Sequence, residues 1–355
     1  MDNAVEQPEA RVRLAVMGVG LIGRRHVEHV LSQPEAELTA IVDPTPAARD
    51  FAEGLQVAWF PDLTAMLLDR RPEGVIVATP NQAHVENGLA CVAAGLPALI
   101  EKPIADDVAG ATRLVEAAEA ADIPLLVGHH RRHNPMVHRA RDLIASGRLG
   151  QIVSVHGTCW FYKPDEYFDV QWRREAGAGP IFLNLIHDID LLRHLCGDIA
   201  SVQAIESNAL RRNAVEETAV ILLRFHSGAL GTVNVSDKIV APWSWEFTSG
   251  ENPAYTRTPE FCYMIGGTRG SLTIPTLDLW HHPTRPSWWE PIEFERLSID
   301  EEDPLGRQVR NLCRVVRGTE RPVVSAREGL ETLKVVAAVK EAAATGRAVV
   351  IAEEA

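Results

Sequence analysis

Cysteine is scarce in this chain, and long apolar runs are missing. Its five cysteines are widely spaced and form no C-x-x-C pair; they are Cys91, Cys159, Cys196, Cys262 and Cys313. This spacing indicates neither a zinc motif nor a disulfide framework, so we expect buried thiols. No apolar run approaches the length of a membrane span, and the first residues lack the basic and apolar regions of a signal peptide. We therefore expect a cytoplasmic protein that does not act at a membrane.

Basic residues are in deficit as well. The chain has 35 lysines and arginines against 48 aspartates and glutamates, a formal net charge of −13. No lysine or arginine run is long enough to follow a phosphate backbone, which argues against nucleic acid and anionic membranes as partners. With 355 residues, 46% of them hydrophobic, the chain is long enough for about two domains with a sizeable core.

The stretch 11–43 reads RVRLAVMGVGLIGRRHVEHVLSQPEAELTAIVD. An apolar run, three glycines and a helical segment indicate strand, turn and helix. In the G-x-G-x-x-G pattern the first glycine allows the tight turn, the second lets the backbone approach a pyrophosphate, and the third packs helix on strand. The phosphates then lie at the helix N-terminus. This context predicts a dinucleotide site, and a turn that only packs is the alternative. The predicted residues are Gly18, Gly20, Leu21, Ile22 and Gly23.

Asp43 ends the second apolar run, twenty residues after the last glycine. This is the offset expected of the acid that binds the adenosine ribose in dinucleotide sites. Its carboxylate can accept hydrogen bonds from both ribose hydroxyls and would repel a 2′-phosphate. We therefore expect NAD as the cofactor in preference to NADP. The alternative is that Asp43 only helps to form a turn, since Pro44 follows directly.

Alternating helix and strand patterns continue to about residue 127. Strands are predicted at 57–60, 74–78, 98–100 and 125–127, and helices at 46–53, 62–69, 83–94 and from 106 or 107 to 121. The run GVIVA at 74–78 is typical of a strand buried on both faces of a parallel sheet. We predict an α/β domain over 1–127 with a doubly wound parallel (Rossmann) sheet. Such sheets bind ligands beyond the carboxyl ends of their strands, where ATPN and EKP occur.

From residue 128 the pattern changes to longer strands with fewer helices. Helices are predicted at 133–146, 184–196, 305–317 and 326–345, and strands at 152–161, 218–226 and 230–235, the last two as a hairpin. We predict an α+β domain over 128–355, built on a large, mostly antiparallel sheet. The closing helices could pack back on the first domain. The segment 243–259 lacks periodicity and is a candidate lid or subunit contact.

Lys102 is the first candidate for catalysis. It follows a buried strand between Glu101 and Pro103, an unfavourable position for a long charged side chain. Partial burial and a cationic nicotinamide nearby would lower the pKa of Lys102 toward the range useful for proton transfer. Alternatively, the side chain extends to solvent or pairs with Glu101.

His187 is the second candidate. It lies three residues from both Asn184 and Asp190, so these side chains share one face of the predicted helix. Imidazole is a natural proton acceptor near neutral pH. A structural histidine is the alternative.

Four motifs together resemble the Gfo/Idh/MocA family, the group of glucose-fructose oxidoreductase and inositol dehydrogenase. They are GVGLIGRRH at 18–26, ATPN at 78–81 with His84 shortly after, EKP at 101–103, and the H-x-x-D of His187 and Asp190. They occur in the family's order over nearly the whole chain. The resemblance implies a nucleotide-binding domain followed by a large open sheet that commonly mediates dimers or tetramers. It also implies NAD(P)-dependent oxidation or reduction of a sugar, polyol or related cyclic hydroxy compound.

The resemblance also assigns residues. Lys102 matches the catalytic lysine of E-K-P, and His187 matches the proton-transferring histidine. The positions that commonly contact the cofactor are matched by Thr79, Pro80, Asn81, His84, Glu101 and Lys102. Leu183 departs from the pattern, because inositol dehydrogenase-type members have an aspartate four residues before the histidine. Asn184 follows; its amide cannot supply that charge, but it can hydrogen-bond a substrate hydroxyl.

Three further residues are candidates for substrate binding. In GHHRRHNP, at 128–135, we expect Arg132 or its neighbour Arg131 to bind an anionic or polyhydroxylated substrate, which suits a guanidinium fork. The arginines disfavour a cation beside the histidines, so no metal is expected. Trp172 and Arg173, just before a glycine-rich loop, could also reach the cleft.

We therefore predict an NAD-dependent dehydrogenase that transfers hydride between nicotinamide and a carbinol carbon of such a hydroxy compound. Lys102, helped by His187, would remove the hydroxyl proton. One alternative substrate is an aromatic dihydrodiol or the cyclic hemiacetal of a semialdehyde, which Leu183 and the tryptophans would suit. A sensor that binds NAD without turnover is the alternative from another class. We expect a homodimer or homotetramer. The sequence determines neither the exact substrate nor the direction of the reaction.

Overall fold

The structure, a computed structural model, describes residues 10–175 and 177–352. Within them the chain divides into two compact units. The N-terminal unit comprises the chain up to His133 together with Asp303–Leu330, and the C-terminal unit comprises Asn134–Glu302 and the chain from Glu331 onward. This division differs from the predicted boundary at 127, since it falls after His133 and returns 303–330 to the N-terminal unit.

The N-terminal unit is built on a six-stranded parallel sheet in the order β3-β2-β1-β4-β5-β6. Its strands are β1 Val12–Met17, β2 Ala36–Val42, β3 Ala58–Phe60, β4 Gly74–Val77, β5 Ala98–Ile100 and β6 Leu125–Val127. This order is that of doubly wound dinucleotide-binding sheets, so the predicted Rossmann fold is confirmed. Because the order reverses between β1 and β4, the carboxyl ends of β1, β4 and β5 lie side by side at the position where such sheets bind ligands.

Ten helices lie in the described parts of the chain. They are α1 Leu21–Ser32, α2 Pro46–Gly54, α3 Leu63–Asp69, α4 His84–Ala93, α5 Val108–Ala120, α6 Pro135–Ala145, α7 Ile186–Cys196, α8 Trp245–Thr248, α9 Pro304–Val316 and α10 Ala326–Thr345. Four helices of the N-terminal unit, α2, α3, α5 and α9, are preceded by a capping residue. Its side chain accepts the backbone N–H three residues further on and so satisfies a donor that the helix leaves unpaired. These caps are Thr45, Asp62, Asp107 and Asp303.

Helix α9 explains why 303–330 belongs to the N-terminal unit. Leu305, Val309 and Leu312 form an apolar stripe at helical spacing, and all three are buried. Val309 and Leu312 lie in the same core cluster as Leu38 and Ile41 of β2. The helix predicted at 305–317 is thus confirmed, and its apolar stripe completes the core of the parallel sheet.

The C-terminal unit is built on a nine-stranded sheet in the order β14-β13-β12-β11-β7-β10-β9-β8-β15. Its strands are β7 Ile152–Trp160, β8 Ile199–Ser207, β9 Thr218–Phe225, β10 Leu230–Ser236, β11 Tyr263–Gly267, β12 Gly270–Ile274, β13 Asp278–His281, β14 Glu293–Arg296 and β15 Val349–Val350. Of the described strand pairs in this nine-stranded sheet only β7 with β10 is parallel, which confirms the predicted, mostly antiparallel sheet.

One face of this sheet is buried and the other is open. In β9 the buried residues Ala219, Ile221, Leu223 and Phe225 alternate with more exposed ones. The buried side chains join a core cluster with residues of α6, α7 and α10. The short strands β13, β14 and β15 were not predicted, because four or fewer residues give too little alternation to identify a strand. The segment at 243–259, a candidate lid, contains the short helix α8.

Candidate active site

The three glycines of the first turn have distinct surroundings. Gly18 has φ +82°, and a Cβ there would lie 2.7 Å from the carbonyl oxygen of Ala78. A Cβ on Gly23 would lie 1.9 Å from the carbonyl oxygen of Gly18, so only glycine allows helix and turn to pack this closely. At Gly20 a Cβ would meet no atom within 4 Å, which leaves the backbone open to a ligand. These are the three roles that the pattern assigns to its glycines.

Helix α1 begins at this turn without a side-chain cap. Gly20 occupies the capping position and can offer no side-chain oxygen, and Leu21, the first helical residue, is exposed. The first N–H groups of the helix therefore face the turn without a side-chain acceptor, and the positive end of the helix dipole lies beside them. This arrangement suits a pyrophosphate, so the residues present fit a dinucleotide.

Asp43 directly follows β2 and lies beside the same turn. One of its carboxylate oxygens accepts the Val19 backbone N–H at 3.0 Å, and the other accepts the backbone N–H and hydroxyl of Thr45 at 2.9 and 2.6 Å. Burial raises the pKa of Asp43, but the hydrogen bonds from Thr45 and Val19 outweigh burial and hold it below its usual value. The carboxylate is therefore charged at neutral pH and keeps lone pairs for a further donor, such as a ribose hydroxyl.

The carboxyl end of β4 carries Thr79, Pro80 and Asn81. Thr79 accepts a hydrogen bond at its hydroxyl from the Asn87 side chain at 3.0 Å. Pro80 is exposed, and Asn81 opens a single turn of 3₁₀ helix that leads into α4. Because a Cβ on Gly18 would meet the backbone of Ala78 and Thr79, this loop lies directly against the glycine turn. The predicted cofactor residues of β1 and β4 are thus brought together.

Glu101 and Lys102 follow β5, with a cis peptide bond between Lys102 and Pro103. Glu101 is buried; one oxygen bonds the Nε2 of His26 at 2.7 Å, and the other accepts the backbone N–H of Lys102 at 3.1 Å. Burial alone would raise the pKa of Glu101, yet the hydrogen bond and charge of His26, with the charge of Lys102, lower it to about 2. Glu101 is therefore an ionised anchor that fixes the backbone of Lys102.

His26→Phe is expected to destabilise the protein by about 3–5 kcal/mol, because it leaves the carboxylate of Glu101 buried without its partner. The folded pKa of about 2 lies below the ordinary 4.5, so Glu101 contributes stability that is present above pH 4.5 and is lost as the pH falls toward 2. Urea unfolding of the variant and the parent at pH 7 measures the difference.

His29→Phe is the matched control, since His29 lies one turn further along α1, and its nearest carboxylate, on Asp303, is 3.9 Å away. We expect a change of about 1 kcal/mol or less for this looser, partly exposed pair. If the two variants lose equal free energy of unfolding, the pair of His26 and Glu101 contributes no more to stability than the pair of His29 and Asp303.

His84 lies at the first position of α4 and is fully buried. Its Nδ1 lies 2.7 Å from the carbonyl oxygen of Pro103, and its Nε2 lies 2.8 Å from that of Thr79. Both ring nitrogens are thus engaged within the N-terminal unit. The side chain links the two loops that hold the predicted cofactor and catalytic residues.

In the C-terminal unit, α7 is preceded by a π-helical turn at Ile181–Leu185, which holds Asn184. Such turns occur frequently at functional sites. The Oδ1 of Asn184 is buried and has no hydrogen-bond partner within 10–175 and 177–352. A buried acceptor without a donor is costly, so this atom suits a donor supplied by a ligand.

His187 follows in the first turn of α7 and is buried. The next residue, Asp188, accepts a hydrogen bond from the hydroxyl of Tyr263 on β11. Thr332 of α10 donates to Asp190 at 3.0 Å and accepts from Arg193 at 2.9 Å. Bonds from two other elements therefore fix the helix that carries His187.

The remaining candidates differ in their surroundings. Arg132 is buried, and its guanidinium pairs with Glu328 at 2.8 Å, so its charge is balanced within the N-terminal unit. In the C-terminal unit Trp172 is 52% exposed. Arg173 donates to the Tyr167 carbonyl at 2.9 Å, and its guanidinium lies over the Tyr167 ring at 4.1 Å. The guanidinium of Arg173 is thus held by a carbonyl oxygen and an aromatic ring, whereas that of Arg132 is paired with a carboxylate.

Sequence reasoning missed two residues that shape the site. His26 lies on the buried stripe of α1 with Gly23, Val27 and Val30, and a lone polar residue in such a stripe signals a buried partner. Gly128 leaves room for Glu101, because a Cβ at this position would lie 2.8 Å from the carboxyl carbon. Neither partnership is visible in the sequence, since the residues involved are far apart along the chain.

The described residues contain neither a candidate metal site nor a candidate membrane-spanning helix. They include no group of three or more histidine, cysteine, aspartate or glutamate side chains that could hold a metal ion. Within 10–175 and 177–352, no helix combines the length and apolar character needed to cross a bilayer. The five cysteines are buried as thiols, as expected.

Comparison with known families gives the same interpretation. Residues 12–129 match the model of an oxidoreductase family with an NAD-binding Rossmann fold, and residues 137–273 match the GFO/IDH/MocA C-terminal domain. Together with the glycine turn and Asp43, these matches define an NAD-binding oxidoreductase with a Rossmann domain. The chain belongs to the GFO/IDH/MocA family.

Individual relatives are distant but extend over most of the chain. A 1,5-anhydro-D-fructose reductase of Ensifer adhaerens is 28% identical over 344 residues, 95% of this chain and 97% of that protein. A myo-inositol 2-dehydrogenase of Thermotoga maritima is 28% identical over 239 residues, 64% of this chain and 70% of that protein. The crystal structure of the WlbA dehydrogenase of Chromobacterium violaceum, in complex with NADH and UDP-GlcNAcA, has a TM-score of 0.77 and 26% identity over 98% of each chain.

Proposed function

We propose that this protein is an NAD-dependent dehydrogenase that interconverts an alcohol and a carbonyl on a sugar, polyol or related cyclic hydroxy compound. The observation that carries the proposal is the position of Lys102. Lys102 follows β5 at the sheet edge where the glycine turn and the Thr79 loop meet. Its backbone N–H donates a hydrogen bond to the carboxylate of Glu101. The named activities of the two relatives, on an anhydro sugar and an inositol, support the substrate class.

The protein groups in this proposal bind the substrate and move its proton. The bound nicotinamide supplies the hydride acceptor. Lys102 accepts the proton of the substrate hydroxyl as the carbonyl forms, and His187 takes part in this proton transfer from α7. Positioned general bases of this kind contribute about two to four powers of ten in rate. The buried Oδ1 of Asn184 accepts a hydrogen bond from a second substrate hydroxyl, which orients the ring.

The choice of NAD over NADP rests on Asp43. Its carboxylate is charged at neutral pH and accepts the Val19 N–H in the glycine turn, where an adenosine ribose binds in this fold. A 2′-phosphate at that position would face the like charge of this carboxylate. We therefore propose NAD as the working cofactor.

A substrate panel tests the function. The purified protein is mixed with NAD and with one candidate substrate at a time, and NADH is followed by its absorbance. The candidates are myo-inositol, 1,5-anhydroglucitol, glucose, an aromatic cis-dihydrodiol and a semialdehyde that closes to a cyclic hemiacetal. We expect turnover with at least one cyclic polyol or sugar. Turnover with the dihydrodiol or semialdehyde alone would favour the less polar substrate class. Tight NAD binding without turnover on any compound would favour a sensor.

We also propose that the chain forms a homodimer or homotetramer through the open face of the C-terminal sheet. Exposed apolar side chains lie on this face in β9, β10 and β11, namely Val220, Leu222, Leu230 and Met264. Clustered apolar exposure of this kind marks a protein interaction surface. Light scattering is expected to give the mass of two or four chains, and Leu222→Lys is expected to lower it. A monomer mass for the parent protein would contradict the proposal.

A further inference from the structure

His84 has an unusual pair of partners. Both of its ring nitrogens lie within hydrogen-bond distance of a peptide carbonyl oxygen, Pro103 on one side at 2.7 Å and Thr79 on the other at 2.8 Å. A carbonyl oxygen accepts hydrogen bonds and never donates them. The side chain is fully buried, so bulk solvent does not reach a contact that lacks a proton.

This geometry restricts the state of the ring. A neutral imidazole carries one N–H and one lone pair, so it satisfies one of the two carbonyls and turns its lone pair toward the other. The imidazolium carries an N–H on both nitrogens and satisfies both. The cost of placing a cation near the positive end of α4 works against this form. Two short, charge-assisted hydrogen bonds on opposite sides of the ring work in its favour.

We propose that His84 is a positioning residue, held as a doubly protonated imidazolium that clamps the Thr79 loop to the loop carrying Lys102. Thr79 lies in the loop that follows β4, and Pro103 directly follows Lys102, so the ring sets the distance between the cofactor loop and the proposed base. Glu101 anchors the backbone of Lys102 on one side, and His84 fixes Pro103 on the other. The inference rests on the proposed role of Lys102 and adds a second anchor to it.

Nitrogen NMR of histidine-labelled protein tests the protonation directly. The His84 ring is assigned through bonds to its own backbone, so that no variant is needed. At neutral pH we expect two directly bonded N–H protons on this ring, each protected from solvent exchange by burial. A ring with one N–H and one bare nitrogen would overturn the inference, whatever the substrate panel gives.

Kinetics of His84→Phe test the positioning role. Phenylalanine fills the space but donates to neither carbonyl, so the Lys102 loop is free to shift. A misplacement of about 1 Å at a catalytic group can lower turnover about a hundredfold, and we expect kcat to fall on this scale. The Kd for NAD is expected to change far less, because the glycine turn and Asp43 are untouched.

His29→Phe serves as the control and is expected to keep the parent kcat. If His84→Phe folds, as judged by its melting temperature, and also keeps the parent kcat, the clamp has no role in positioning. If it fails to fold, the NMR result on the parent protein decides the protonation. Failure of the proposed function would be distinct, because Lys102→Met would then retain turnover while the NMR signature of His84 stayed unchanged.

Discussion

Lys102→Met is expected to lower kcat by about two to four powers of ten and to leave the Kd for NAD close to that of the parent. Methionine keeps the length and apolar stem of the side chain but cannot accept a proton. The backbone anchors remain, since Glu101 binds the main-chain N–H of residue 102 rather than its side chain. Steady-state kinetics on the substrate found by the panel, with NAD binding followed by calorimetry, separates chemistry from cofactor affinity.

Arg113→Met is the matched control for this experiment. It removes a cation from the same unit, but Arg113 lies on α5, where it pairs with Glu86 at 2.7 Å and both side chains are exposed. We expect no measurable change in kcat. A Lys102→Met variant that turned over at near-normal rate would remove this lysine from the mechanism, while loss of NAD binding would assign it to the cofactor instead.

Asp43→Asn is expected to weaken NADH binding about tenfold or more and to bring the affinities for NADH and NADPH close together. A hydrogen bond to a charged group contributes about 1.5–3 kcal/mol, which is about 10–150-fold in affinity. The neutral amide loses the charge that strengthens bonds to the ribose and no longer repels a 2′-phosphate. Fluorescence titration with each reduced cofactor measures the ratio of the two dissociation constants.

Asp62→Asn provides the comparison, because Asp62 caps α3 in the same unit and asparagine is an equally good cap. It changes the net charge by the same amount without touching the glycine turn. We expect its cofactor ratio to match the parent. Tighter binding of NADPH than NADH by the parent protein would show that Asp43 has only the structural role seen in its bonds to Val19 and Thr45.

Much of the fold could be predicted because its signals are local. The run GVIVA is buried throughout because a central strand of a parallel sheet is covered on both faces. The alternation at 218–226 became β9, with one face buried and one open. Short or irregular patterns were not predicted correctly. The strands β13 and β14 have only four residues each. The helix predicted from residue 184 is preceded by a π-helical turn, and α7 itself begins only at Ile186.

The site was predicted less completely, because its residues act through partners. His84 was expected to contact the cofactor, yet both of its nitrogens are held by carbonyl oxygens of two loops. Arg132 was expected to bind substrate, yet it pairs with Glu328 almost two hundred residues further along the chain. No sequence pattern indicates such partners, since each is defined by which loops the fold brings together.

The sequence by itself determined the kinds of element and the type of chemistry. Three glycines at fixed spacing, an aspartate at the end of the second strand and a lysine after the fifth are local features, set by backbone sterics and strand burial. Only the tertiary structure decided how the lysine is held. Glu101 meets His26 across 75 residues of chain, and His84 joins the ends of β4 and β5. Hydrogen bonds act over about 3 Å in space, and the separation of two residues along the chain does not reveal that distance.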